Sequence, residues 1–144
     1  MNRSAMRELA FKLIYSLEIQ KTENKEEQIE TFIESNEVEN ENAKKYIKDA
    51  ILGIEKNKEK ITEEIKSNLK SDWKIERISK MDLSILELAI YEMVYKKLPY
   101  KVVINEAVEL AKKYGEDTSK NFINGILASV VNYHFGDASQ IGKK

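Results

Sequence analysis

Cysteine is absent from this 144-residue chain. That excludes a disulfide framework and a thiolate metal site, and it fits a reducing compartment. Proline occurs once, at Pro99, and glycine five times, while 34% of the residues are charged. So few chain breakers in so charged a sequence point to helix almost throughout. No stretch reaches the about 18 continuous apolar residues of a membrane span, and the N-terminus shows no apolar leader. The expectation is a cytoplasmic protein that does not engage a membrane. Histidine also occurs once. With no second histidine and no cysteine to join it on a metal, His134 reads as a packed or partly buried residue in the apolar stripe of the last helix. A glycine-rich phosphate loop and a nucleophile elbow are both missing. Glu106 and Glu109 stand three apart, as catalytic carboxylates can, but a charge-rich helix produces such pairs by chance. The reading is a non-enzyme without cofactor or metal.

What the chain does have is charge separated along its length. The net charge is −1, which argues against a general polyanion binder, yet the signs are not mixed evenly. Residues 23–41 carry eight glutamates and one lysine, Lys25. The first twelve residues carry Arg3, Arg7 and Lys12 against Glu8, and Lys112, Lys113 and Lys120 cluster later. Apolar residues recur at helical spacing. A first helix capped by Ser4 buries Met6, Leu9, Ala10, Leu13, Ile14 and Leu17, with Arg3 and Arg7 on a shared face. A short acidic helix spans 25–35, and a polar connection fills 36–42. A third helix runs over 43–54, a charged break over 56–60, and a short fourth helix over 61–69. Residues 71–73 punctuate the chain. Residues 75–94 are apolar nearly all round, which marks a central helix that must end before Pro99. A helix over 102–114 ends at Gly115, where a left-handed cap is expected. The last helix, capped by Asp117 or Thr118, ends at Gly136. The expectation is an all-α domain of six to seven helices over residues 1–136, followed by a mobile tail, 137–144.

Within the last helix the stretch SKNFING places Lys120, Asn121 and Phe122 in its first turns. At about 100° per residue, Phe122 lies a quarter turn from the centre of the apolar stripe. It is a rim position, and Gly125 beside it offers no side chain to cover the ring. Spacing alone makes Phe122 a semi-core residue.

Three segments, RELAFKLIYSLE (7–18), RISKMDLSILELAIYEM (77–93) and LPYKVVINEAVELAKKYGEDTSKNFINGIL (98–127), resemble the NusB family of bacterial transcription antitermination factors. The resemblance implies two antiparallel three-helix bundles. It implies binding of boxA-type single-stranded RNA together with NusE, a small-subunit ribosomal protein, so that the RNA polymerase elongation complex reads through terminators in ribosomal RNA operons. On this reading Arg3, Arg7, Lys120, Asn121 and Phe122 meet RNA. Phe122 stacks on a base, while Glu76, Arg77 and Asp82 meet NusE. The family often has another basic residue where Asn121 stands, so the partner protein gains weight in binding. The alternative is a self-associating helical assembly protein, a homodimer that masks the RNA face.

Overall fold

The computed structural model describes residues 1–21 and 24–136; the expected tail, 137–144, lies outside the described residues. Seven α-helices account for most of them, and no strand occurs among the described residues. The chain divides into two compact units after Lys58.

The first unit is a three-helix bundle of α1 (Arg3–Ile19), α2 (Lys25–Ser35) and α3 (Glu41–Lys56), with α3 packed on both others. Each helix opens on an asparagine. The Oδ1 atoms of Asn2, Asn24 and Asn40 accept from the N–H groups of Ala5, Glu27 and Ala43 at 2.8, 3.0 and 3.0 Å. Each bond satisfies one of the donors that a helix start leaves unpaired, and such a cap stabilises by about 1 kcal/mol. Ser4, the expected cap, lies one turn-position inside α1 because Asn2 performs that role. The buried stripe of α1 is Arg7, Ala10, Phe11, Leu13 and Ile14. It is rotated from the expected one, with Met6, Leu9 and Leu17 at its edges. Asn57 closes α3, its Nδ2 donating to the Gly53 carbonyl at 2.8 Å. The expected charged break over 56–60 is therefore this one residue. Lys58 pairs with Glu18 at the other end of α1.

The second unit holds α4 (Lys58–Ser67), α5 (Lys80–Ile90), α6 (Tyr100–Tyr114) and α7 (Ser119–Phe135), with α5, α6 and α7 packed pairwise. The expected central helix is real but divided. A 3-10 turn at Ile75–Arg77 precedes it, and Ser79 starts α5 by accepting from the Asp82 N–H at 3.0 Å. Every residue from Ser84 to Met93 is buried. Burying a Leu, Ile or Met side chain stabilises by about 1.5–3 kcal/mol, so this run holds the unit together. The helix widens into a π turn at Tyr91–Tyr95 and is released by Lys97, a non-glycine residue at φ 54°. Pro99 then starts α6, two residues earlier than the sequence pattern suggests.

Two glycines end helices for different reasons. Gly136 adopts φ 85°, the left-handed geometry that a side chain resists. Gly115 does not, since its φ is −90°. A Cβ there would sit 2.6 Å from Ser119 Oγ and 2.8 Å from the Ala111 carbonyl oxygen. Space, not backbone handedness, requires glycine at 115, which corrects the expected left-handed cap.

Candidate nucleic-acid interface

The residues expected to meet RNA fall in both units, and each set is described in its own unit. In the first, Arg3 is exposed at the start of α1, its guanidinium 5.9 Å from the centre of the Tyr46 ring. That contact orients the cation without removing it from water. Arg7 is different. It retains only 4% of its surface, at odds with an exposed phosphate contact. The reason is legible afterwards: 7, 10, 11 and 14 form one helical stripe, and Arg7 completes the row of Ala10, Phe11 and Ile14. Lys12, on the other side, is exposed.

In the second unit the first turns of α7 present Lys120 and Asn121 to solvent, with Phe122 half-buried behind them. The local fold explains this. Ser119 is turned inward, its Oγ accepting from the Glu116 N–H at 3.0 Å and donating to Asp82 Oδ2 at 3.1 Å. Ile123, Ile126, Leu127, Val130 and Val131 fill the core. With 119 and 123 inside, 120 and 121 must face out, and 122 falls on the rim. Thr118, the residue before the helix, makes no side-chain cap bond. The positive end of the helix macrodipole therefore lies beside the Lys120 ammonium, a setting that favours an anion. Lys112 pairs with Glu109 at 3.4 Å and Lys113 lies over the Tyr114 ring, whereas Lys120 shows no such contact among the described residues.

Phe122 has an aromatic neighbour that the sequence pattern did not single out. Trp73 stacks on it, ring centroids 5.5 Å apart and planes 30° from parallel. Trp73 lies in the turn after α4, where it reads as punctuation; no periodicity could join it to Phe122. Beyond the rings, a Cβ built at Gly125 would meet no atom within 4 Å. Position 125 is open, but the Phe122 ring itself, expected to lie uncovered, has Trp73 stacked on it.

The residues expected to meet a partner protein lie on and after the 3-10 turn. Glu76 and Arg77 are exposed there. Asp82 is half-buried and bound to Ser119, while its Oδ1 is buried with no partner among the described residues. Burial pushes its carboxyl above the ordinary value, the nearby Glu116 charge adds to this, and the Ser119 hydroxyl pulls the other way. Asp82 thus ties α5 to α7 and is only partly available to a partner. His134 is not a core residue, but its side chain is partly buried, 28% exposed. It lies at the exposed end of α7 and pairs with Glu64 of α4. No group of side chains that could hold a metal occurs among the described residues, and none of their helices is long and apolar enough to cross a membrane.

The described residues form an all-helical module that presents surface cations and a rim aromatic. The chain matches the NusB family model over residues 4–132, and it belongs to the NusB family. It is 53% identical over 132 residues to the transcription antitermination protein NusB of Acetivibrio thermocellus, covering 91% of this chain and 89% of that one. It is 44% identical over 131 residues to the protein of the same name from Ruminiclostridium cellulolyticum, covering 90% and 88%. Among solved structures, T. maritima NusB superposes with a TM-score of 0.86 at 32% identity, over 100% of this chain and 99% of that one. A structure of antitermination factors NusB and NusE in complex with double-stranded RNA contains a chain matching at TM-score 0.83 and 25% identity, over 92% and 97%.

Proposed function

We propose that this protein is a cytoplasmic transcription antitermination factor that binds boxA-type RNA together with NusE and acts on the RNA polymerase elongation complex in ribosomal RNA operons. It works by binding, not by catalysis. The observation that carries the RNA part is the arrangement at the start of α7: exposed Lys120 and Asn121 beside a half-buried Phe122, with open space at Gly125. Sequence-specific RNA readers unstack single-stranded bases, stack them on aromatics and hydrogen-bond their edges. Phe122 supplies a ring, the Asn121 amide can both donate and accept at a base edge, and Lys120 and Arg3 supply charge for phosphates. Arg7, being buried, is assigned no phosphate in this reading. Exposed Glu76 and Arg77, with the accessible side of Asp82, are assigned to NusE. The reading is supported by family membership and by the likeness to a chain from a structure holding NusB, NusE and RNA. The self-associating alternative is not favoured by these comparisons.

The test is fluorescence anisotropy of labelled boxA RNA and a scrambled control, titrated with the protein alone and with NusE. Preference for boxA that strengthens with NusE is expected, and Phe122→Ala should weaken boxA binding by about tenfold, in the range of base–aromatic stacking. Equal affinity for both RNAs, unchanged by NusE, would refute the composite reader.

A further inference from the structure

The chain's one tryptophan sits in the turn after α4, where its backbone N–H donates to the Lys70 carbonyl at 2.8 Å. It keeps 43% of its surface exposed while stacked on Phe122. Of the two rings the indole is the outer one: Phe122 is half-buried on the rim of α7, and Trp73 is exposed. A large aromatic left half in water while held in a fixed orientation by a second ring is a pre-organised apolar surface. It loses little conformational freedom when something lies on it. Lys70 and Lys74, both exposed, flank it along the chain.

We propose that Trp73 is the outer ring of a two-ring platform and stacks directly on a base of single-stranded RNA, with Phe122 backing it. The proposal rests on the RNA-binding reading above and adds a contact residue to it. An indole face accepts any base, because every base has a π face. It therefore contributes affinity with little sequence preference, while Asn121 and its neighbours read edges. The flanking lysines supply the cations that the phosphates on either side of a stacked base require, a pairing with no special purpose for a protein partner.

Because Trp73 is the sole tryptophan, its emission reports on this ring alone. The full-length chain is titrated with unlabelled boxA RNA while emission is followed, in parallel with anisotropy of the labelled RNA, with and without NusE. Trp73→Leu, which keeps apolar bulk and loses the π face, and Trp73→Phe, which keeps a smaller one, are compared by anisotropy after circular dichroism confirms their fold. The expected result is quenching that saturates at the same RNA concentration as anisotropy, affinity reduced about tenfold in Trp73→Leu, and most of it retained in Trp73→Phe. If a variant does not fold, the quenching of the unaltered chain still decides. RNA binding by anisotropy with no change in emission and no effect of either variant would overturn the role of Trp73 and leave the RNA reading standing. Emission that changes with NusE alone and not with RNA would place a protein on the ring and also overturn it. No RNA binding under any condition would remove the RNA reading and this inference with it.

Discussion

Asp82 holds its proton more tightly in the folded protein than in the unfolded chain, because burial and Glu116 oppose its charge. The sign of its effect on stability follows. A carboxyl with a raised folded pKa contributes stability that is fully present below its ordinary value of 3.8 and is lost as pH rises through the elevated one. Asp82→Asn keeps an oxygen to accept from Ser119 and removes the charge. Its melting temperature should exceed that of the parent at pH 7, and the gap should close below pH 3.8. A variant less stable than the parent at pH 7 would mean that the α5 macrodipole, which favours a carboxylate in the first turn, outweighs burial. Single residues were also where sequence reading was weakest. Phe122 was legible as a rim residue because its angle on α7 depends only on local periodicity. Arg7 was misplaced because a cation in an apolar stripe was read by its charge and not by its position. Trp73 was not legible at all, because its partner is 49 positions away and no helix links them.

The helices themselves were largely written in the pattern of apolar residues, and their ends in capping chemistry. Departures arose where two short signals competed: Asn2 displaced Ser4, and Ser79 started α5 where the apolar run suggested unbroken helix. The two glycines around α7 separate propensity from packing. Gly125→Ala should stabilise the protein by up to about 1 kcal/mol, since alanine is the better helix former and nothing lies near the new methyl group. Gly115→Ala should destabilise it by about 1–3 kcal/mol, the usual range for overpacking, since its Cβ collides with Ser119 and a backbone oxygen. Urea denaturation of both variants checks the pair. Equal effects would mean that the turn before α7 relaxes freely.

For the whole molecule the near-zero net charge sets the character of binding. The proposed RNA contacts include four exposed cations, Arg3, Lys70, Lys74 and Lys120. For four phosphates on a single strand, the plot of log affinity against log salt should have a slope of about −2.8. A slope several times steeper would mean that further lysines, Lys12 among them, carry the RNA. A shallow slope fits a reader whose affinity comes mainly from stacking and from its protein partner. The all-helical class was legible from composition because so few residues could break a helix. The division of the chain after Lys58 was not, since one asparagine separates α3 from α4 and leaves no compositional mark.

The crowding at Gly115 reaches beyond stability into inheritance. A Cβ at position 115 meets the Ser119 Cβ and Oγ and the Ala111 carbonyl oxygen, so a side chain can enter only if residue 119 loses its own or the turn shifts, and either change disturbs the Ser119 bond to Asp82. The three positions are therefore not free to drift one at a time. Among descendants of this sequence a larger residue at 115 should arrive with compensating changes at 119 and 82, so the turn that presents Lys120, Asn121 and Phe122 should pass from ancestor to descendant as one heritable block.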